Sequence, residues 1–249
     1  MSKVYAFANQ KGGVGKTTTA INLAACLAEA GERSLVVDLD PQANATSGLG
    51  MRANGTSTYD LLDGVPLASL AKATQFPNLF LVPSKPELAG AAVELSQRAD
   101  GERYLAEALQ DAEGFDFVLL DCPPSLGPLT VNALAASDRV IVPVQTEYYA
   151  LEGLAQLVQS INLIKARLNP KLEIAGVLLT MTDGRTRLSS DVEAEVRKHF
   201  GALVFDAVVP RSVRVAEAPS HGLPVTHYDR RSRGAEAYWK VAMELVDRA

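Results

Sequence analysis

Short apolar runs alternate along the chain with longer segments of helical periodicity, and this alternation predicts strands and helices in βαβ order. Several runs are apolar at every position, as is typical of parallel strands covered by helices on both faces. The predicted strands are Val4–Ala8, Ser34–Val37, Leu79–Val82, Phe117–Leu120, Val140–Val144, Ile174–Leu179 and Leu203–Val209. The predicted helices are Thr18–Ala30, Glu102–Ala112, Leu129–Ala136, Leu151–Leu168, Asp191–Phe200 and Ala235–Arg248. We therefore expect an α/β fold, a three-layer α/β/α sandwich around a mostly parallel twisted sheet.

Local signals refine this picture. Gly31 follows the first predicted helix at the position that a helix C-cap favours. The segment Gly48–Ser84 is the least regular part of the chain, and we expect it to be a surface excursion. The last predicted helix carries apolar residues at core spacing, which predicts that it packs on the domain. Those residues are Tyr238, Ala242, Leu245 and Val246.

Composition excludes several classes of protein. With 249 residues, of which 47% are hydrophobic, the chain can bury a sizeable core and is not disordered. The two cysteines, Cys26 and Cys122, form no CxxC pair, which excludes a disulfide scaffold and a four-cysteine zinc site. No signal peptide and no apolar run of about 18–20 residues is present, so we expect a cytoplasmic protein in one domain, residues 1–249.

The strongest motif is the segment Asn9–Thr18, NQKGGVGKTT, between the first predicted strand and helix. Such a glycine-rich loop turns backbone N–H groups towards phosphate oxygens at the positive end of a helix, which predicts a P-loop NTPase. Lys16 would contact the β- and γ-phosphates, and the Thr17 hydroxyl would bind Mg²⁺. The phosphate-binding candidates are Lys11, Gly12, Gly13, Val14, Gly15, Lys16, Thr17 and Thr18.

The loop departs from the common form, because Gln10 replaces the first glycine and a second lysine, Lys11, lies inside it. A cation at a helix N-terminus is disfavoured by about 0.3–1 kcal/mol unless it has an anionic partner. The segment Lys11–Thr17 resembles the deviant Walker A ATPases, which bind ATP. In that family the lysine matching Lys11 reaches the nucleotide of the other subunit across a dimer interface, so the resemblance implies a catalytic role for Lys11 beside Lys16.

Carboxylates follow two of the predicted strands. Asp38 and Asp40 lie two residues apart at the end of the second strand, where they either bind a cation at the carboxyl edge of the sheet or merely close the strand. Asp121 ends an apolar strand in the Walker B arrangement and would hold Mg²⁺. The resemblance implies that Asp40 positions the attacking water. Cys122 is expected to be a small packing residue.

Further strings narrow the resemblance to the chromosomal ParA or Soj group of DNA-partitioning ATPases. They are Asp40–Gly50, Asp121–Gly127, Glu147–Leu154 and Glu217–Gly222. The resemblance implies an ATP-dependent sandwich dimer that binds double-stranded DNA without sequence preference, associates with the nucleoid and is stimulated by a ParB-type partner. One departure is Ala43, where the group usually has glycine, so a backbone with φ > 0 there would be strained.

The formal charge of −5 does not indicate nucleic-acid binding, so a DNA surface must be local. Residues 210–233 hold five arginines against two carboxylates, a net charge of +3. Either these arginines are a solvated surface or they contact phosphates, and the resemblance makes Arg185 and Arg214 the preferred DNA contacts. Pro210 and Arg211, after the last predicted strand, are expected to serve the nucleotide instead.

Two other functions compete with the DNA-binding ATPase. A membrane-associated regulator like MinD would need an amphipathic C-terminal helix, but the stretch Glu236–Arg248 bears three acids and two bases, which anionic lipid does not favour. A nucleotide-binding scaffold without turnover is disfavoured by Asp40. The preference for adenine over guanine follows from the resemblance alone, with Thr180, Asp183 and Pro210 near the expected base pocket.

Overall fold

The computed structural model describes residues 2–110, 112–147 and 150–248. Asp111, within a predicted helix, and Tyr148 and Tyr149, within one of the recognised strings, lie outside the described residues. The strands are β1 (Lys3–Phe7), β2 (Ser34–Asp38), β3 (Lys72–Ala73), β4 (Leu79–Val82), β5 (Phe117–Asp121), β6 (Arg139–Gln145) and β7 (Glu173–Thr180). The order in the sheet is β3-β4-β2-β5-β1-β6-β7, and every pairing is parallel except β3 with β4. The expected fold class is confirmed.

Helices cover both faces of the sheet. Their bounds are α1 (Lys16–Glu29), α2 (Asn44–Gly48), α3 (Thr58–Leu62), α4 (Leu67–Leu70), α5 (Leu88–Gln97), α6 (Tyr104–Ala108), α7 (Pro128–Ala136), α8 (Ala150–Arg167), α9 (Arg187–Phe200), α10 (Val213–Glu217), α11 (Val225–Tyr228) and α12 (Arg233–Asp247). Gly31 follows the end of α1 with φ of +100°, as its position predicts. Among the described residues, none of these helices has the length and apolar character that crossing a bilayer requires.

Two hydrophobic cores lie on opposite faces of the sheet because alternate residues of each strand point to opposite sides. On β5, Val118 and Leu120 face the core that contains α3 to α9, whereas Phe117 and Leu119 face the core formed with α1, α11 and α12. This explains why the strands are apolar throughout.

The prediction of a strand over Leu203–Val209 is wrong. Only isolated bridges join this segment to the sheet, at Val204 and at Pro210. Between them, the amides of Asp206 and Ala207 donate to the carboxylate of Glu244 on α12, at 2.8 and 3.0 Å. The amides of Phe205 and Val209 still donate to β7, at 3.0 and 2.9 Å, but the contact with Glu244 interrupts the ladder between them.

The segment Gly48–Ser84 is not a surface excursion. Its helices α3 and α4 bury Leu61, Leu62, Leu67 and Leu70 in the core, and it contributes β3 and β4 to the sheet. The glycines and hydroxyl residues that suggested a loop form turns and caps: Ser57 caps α3 and accepts from the Tyr59 amide at 3.2 Å.

The C-terminal helix packs as expected, with one exception. Tyr238, Ala242 and Leu245 are buried against the α1 side of the sheet, whereas the side chain of Val246 is about half exposed. At 3.6 residues per turn, a residue adjacent to Leu245 lies about 100° around the helix from it, which turns Val246 towards solvent.

Parallel pairing brings the carboxyl ends of the central strands to one edge. Asp121, the last residue of β5, pairs in register with Phe7 on one side and with Asp38 on the other. The acidic residues that end β2 and β5 therefore lie beside the loop that leaves β1.

Candidate functional site

The loop between β1 and α1 forms the floor of a cleft of about 400 Å³. Gly13 and Gly15 have φ of +73° and +90°, a conformation that L side chains rarely adopt. Gly15 is the N-cap of α1, and since glycine has no side chain, the first amides of the helix receive no side-chain cap. Those amides remain available to an anion.

The structure brings most of the predicted loop residues to this cleft. Its lining includes Gly12, Gly13, Gly15, Lys16, Thr17, Thr18 and Asp40. Val14 differs, because its side chain is buried and its carbonyl accepts the Thr180 hydroxyl at 2.8 Å. Val14 can therefore serve a ligand only through its backbone.

Lys16 carries a buried ammonium. Its side chain is nearly excluded from water, and Nζ donates to the carbonyl of Lys11 at 3.2 Å. Burial lowers the pKa of Lys16, an effect that Asp121 and Asp40 oppose. A single carbonyl leaves two of its N–H donors for a ligand, so this ammonium can contact phosphate oxygens.

Asp121 is the most unusual group in the site. Both of its carboxylate oxygens are buried, and within the part of the chain that the structure describes neither has a hydrogen-bond partner of ordinary geometry. Burial raises the pKa of Asp121 well above its usual range, the neighbouring Asp38 raises it further, and the Thr17 hydroxyl and Lys16 oppose the shift. An unpartnered buried carboxylate beside a threonine hydroxyl is a donor set that fits Mg²⁺.

Few other groups could complete a cation site. Among the described residues, no three histidine, cysteine, aspartate or glutamate side chains converge as a metal cluster. A cation held by Asp121 and Thr17 would therefore take its other ligands from phosphates and water, as Mg²⁺ commonly does.

Asp38 is held differently, which weakens its prediction as a metal ligand. Its Oδ2 accepts the amide and the hydroxyl of Thr46, at 2.8 and 2.6 Å, and its Oδ1 accepts the amide of Asp40 at 3.1 Å. Burial raises the pKa of Asp38 to about 6, although these hydrogen bonds lower it. With three protein donors on its oxygens, Asp38 is a structural anchor in this structure rather than a free ligand.

Asp40 lines the cleft and begins a strained turn. Its Oδ1 accepts the amide of Gln42 at 3.0 Å. Ala43, the N-cap of α2, has φ of 54° and ψ of 37°, the left-handed conformation in which alanine is strained. The expected consequence of alanine at this position is therefore present.

The cleft is also lined by Met181, which the sequence did not single out. Its φ of 51° is a second left-handed backbone at a residue other than glycine, and such strain clusters at ligand sites. Next to it, Thr182 pairs with Pro210 and accepts the amide of Arg211 at 3.0 Å. Pro210 and Arg211 thus lie near Met181, although neither lines the cleft itself.

Lys11 lies at the rim rather than inside. Its ammonium contacts the carboxylate of Glu147, and both side chains are about half exposed. Cys122, by contrast, is fully buried, and burial raises the pKa of its thiol, which keeps it protonated. Cys122 is therefore a packing residue, as expected.

The two predicted DNA contacts are exposed but paired with acids. Both Nε and Nη2 of Arg185 donate to Asp183, at 2.9 and 2.8 Å. Arg214 contacts Glu217 at 3.1 Å and Asp229 at 3.3 Å. Neither guanidinium presents an unneutralised charge in this structure, so phosphates would have to compete with these carboxylates.

A contact between two glycines joins the Asp40 loop to the segment of α10. A Cβ on Gly222 would lie 2.6 Å from the Cα of Gly50, closer than real Cβ atoms approach. Pro219, on the same segment, lines the cleft. We call this close backbone contact the Gly50–Gly222 seam.

Comparisons with known proteins show which proteins the chain is similar to. A family model described as an AAA domain matches residues 2–174. The chain is 52% identical to the sporulation initiation inhibitor protein Soj of Bacillus subtilis, over 99% of both proteins. It is 56% identical to the chromosome-partitioning ATPase Soj of Thermus thermophilus, over 98% of this chain and 95% of the relative. A crystal structure of cobyrinic acid a,c-diamide synthase from Mycobacterium smegmatis, with bound ATP analog and magnesium, superposes with a TM-score of 0.87 at 38% identity, covering 99% and 95% of the two chains.

Ala43→Gly should stabilise the protein. Glycine adopts the left-handed backbone without strain, and after its greater entropy in the unfolded chain is subtracted, we expect a gain of about 0.5–1 kcal/mol. Thermal unfolding should show a midpoint higher by about 1–4 °C. Ala45→Gly, two residues on in the right-handed part of α2, is the matched control and should lower the midpoint. A lower midpoint for Ala43→Gly would contradict the strained turn.

Asp121→Asn should raise stability when nucleotide and Mg²⁺ are absent, while weakening Mg²⁺-dependent nucleotide binding. The raised pKa of Asp121 means that the folded protein binds a proton more tightly than the unfolded chain, so stability falls as pH rises. Asparagine does not ionise, so the variant loses this dependence of stability on pH. The variant should unfold about 2–8 °C above the parent at pH 7.5, for a gain of about 1–2 kcal/mol, and the difference should shrink towards pH 5.

Asp247→Asn, which removes an exposed carboxylate, controls for the change in net charge and should leave the midpoint nearly unchanged. A destabilised Asp121→Asn variant would show that Asp121 has structural partners, which would argue against a cation site.

Proposed function

Since the chain belongs to the Soj and ParA family of chromosome-partitioning ATPases, we propose that it is an ATP-driven switch in chromosome or plasmid segregation. Binding of Mg-ATP assembles two copies into a sandwich dimer, the dimer binds DNA without sequence preference on the nucleoid, and hydrolysis, stimulated by a ParB-type partner, resets it. The observation that carries the proposal is the unpartnered buried carboxylate of Asp121 beside Lys16 and Thr17 at the phosphate loop.

Phosphates are held by charge and by backbone donors. The Lys16 ammonium lies in a water-poor site, where its attraction to phosphate oxygens is stronger than at the surface. The uncapped amides at the start of α1 add donors at the positive end of the helix. Thr17 and Asp121 would hold Mg²⁺, which when bound neutralises the charge that develops on the phosphoryl group.

Asp40 is the residue that enables the bound ATP to be hydrolysed. Its carboxylate lines the same cleft as the phosphate loop, and the Gln42 amide orients it through Oδ1. A carboxylate there accepts a hydrogen bond from the attacking water and directs it at the γ-phosphate. Its presence disfavours a scaffold that binds nucleotide without turnover.

Lys11 is proposed to act in the dimer. Its ammonium is at the rim of the cleft and half exposed, and among the described residues its ion-pair partner is the half-exposed Glu147. Exchanging that partner for the phosphates of a second subunit therefore exposes no buried group. Dimerisation would then replace a weak surface ion pair with a stronger contact to a polyphosphate.

Lys11→Ala should separate nucleotide binding from dimerisation. The phosphate loop keeps Lys16, so equilibrium dialysis should still show bound ATP, whereas sedimentation should show only monomer. Glu147→Gln is the matched control: it breaks the same ion pair but keeps the lysine, and it should dimerise with ATP. An ATP-dependent dimer in Lys11→Ala would contradict the role across the interface.

The acidic chain should bind DNA only as an ATP-bound dimer. Each monomer offers few arginines, and a dimer doubles the phosphate contacts within one complex. Arg214→Ala should weaken binding to all sequences alike and reduce the dependence on log salt by about 0.9 per lost contact. Glu217→Gln removes an acid that pairs with Arg214, so it should strengthen binding.

The measurement is affinity for random-sequence duplex over a salt series, with ATP and with ADP, alongside co-sedimentation with anionic liposomes. Equal affinity in the two nucleotide states, or an unchanged salt slope in Arg214→Ala, would contradict this surface. ATP-dependent binding to liposomes in place of DNA would favour the MinD-like function.

A further inference from the structure

Hydrogen bonds between Asp38 and Thr46 join the two ends of the loop that carries Asp40. Asp38, at the end of β2, and Thr46, in α2, are both buried, and the amide and hydroxyl of Thr46 donate to the same oxygen of Asp38 at 2.8 and 2.6 Å. Asp40 and the strained Ala43 lie between the two ends of this closure. We call the pair the Asp38–Thr46 clasp.

The direction of the Thr46 hydroxyl is fixed by its neighbours. The amide of Ser84 donates to Thr46 Oγ1 at 2.9 Å, and an amide N–H can only donate. The single hydroxyl proton must therefore point at Asp38 Oδ2, where it makes a short, charge-assisted hydrogen bond whenever Asp38 is ionised. The chain from Ser84 through Thr46 to Asp38 permits one arrangement only.

The other oxygen of Asp38 transmits this order to Asp40. Asp38 Oδ1 accepts the amide of Asp40 at 3.1 Å, which fixes the peptide plane from which the Asp40 side chain departs. From the strand side, the Thr58 hydroxyl donates to the carbonyl of Asp38 at 2.7 Å. Both the carboxylate and the backbone of Asp38 are thereby held.

The clasp lies outside the set of groups assigned to nucleotide binding. Neither Asp38 nor Thr46 lines the cleft, and the side-chain hydrogen bonds of Thr46 go only to Asp38 and Ser84 among the described residues. A left-handed backbone at Ala43 also needs surroundings that enforce it, and the closure supplies them.

We propose that Thr46 is a positioning residue for ATP hydrolysis, which through Asp38 holds Asp40 in place against the attacking water. The inference rests on the proposed role of Asp40 and adds the residue that keeps it in position. Loss of the Thr46 hydroxyl leaves the Thr46 amide as the remaining Thr46 donor to Asp38 Oδ2, so Asp38 holds the Asp40 peptide less firmly. Small displacements of a group that orients a reactant lower the rate steeply.

The test is single-turnover hydrolysis of Mg-ATP by the purified full chain, with the nucleotide dissociation constant measured on the same samples. Thr46→Val keeps the shape of the side chain but removes the hydroxyl, and it should hydrolyse about tenfold to a hundredfold more slowly with little change in ATP affinity. Thr46→Ser restores the hydroxyl and should recover most of the rate.

A double variant distinguishes a loss of Asp40 positioning from a general disruption of the structure. If Thr46 acts through Asp40, adding Thr46→Val to Asp40→Ala should slow hydrolysis no further. Multiplying losses would overturn the inference. Ser137→Ala, which removes a buried hydroxyl at the far end of α7, is the control for stability and should leave the rate unchanged.

If Thr46→Val does not fold, Thr46→Ala removes the same hydroxyl with a smaller side chain and serves the same purpose. A wild-type rate in either variant, or a loss of ATP affinity as large as the loss of rate, would overturn the inference about Thr46. A wild-type rate in Asp40→Ala would instead overturn the proposed function of Asp40, so the two failures are distinguishable.

Discussion

The site depends on three buried charges placed side by side at one edge of a parallel sheet. In-register pairing of β2 with β5 sets Asp38 directly beside Asp121, and the loop from β1 adds Lys16. One ammonium cannot neutralise two carboxylates, and burial raises the pKa of both acids, with Asp38 raising that of Asp121 further. Protein donors hold the Asp38 carboxylate, whereas the oxygens of Asp121 have no such donors among the described residues and could bind the proposed cation. Asp121 thus lowers the free energy of unfolding in the absence of a ligand, and cation binding would restore it.

The parts of the fold that the sequence predicts well are those governed by local pattern. Continuously apolar runs predict strands covered on both faces, and the segment Asn9–Thr18 places its glycines where the backbone turns left-handed. The predictions are wrong where contacts between residues far apart in the sequence determine the structure. Glu244, 37 and 38 residues away along the chain, takes the amides that would have made Leu203–Val209 a strand. The helices α3 and α4 are too short to show a period, so only their burial reveals that they belong to the core.

The same limit applies within the site. A motif identifies Lys16, Thr17 and Asp121 because their chemistry is fixed by the ligand, but no spacing reveals that Thr46 holds Asp38 or that Met181 lines the cleft. Nor does a count of arginines reveal their pairing: Arg185 and Arg214 each lie against carboxylates of their own segment. The positive charge of this surface is consequently smaller than its composition suggests.

The Gly50–Gly222 seam bears on how motion passes through the molecule. Side chains between two loops act as a compressible layer, since rotamer changes absorb small displacements before they reach the backbone on the other side. At the seam no such layer exists, because main chain touches main chain and a Cβ on Gly222 would overlap Gly50. A shift of the backbone at Gly50 towards Gly222 would therefore displace the backbone at Gly222 as well, and with it the segment that bears Arg214 and Pro219.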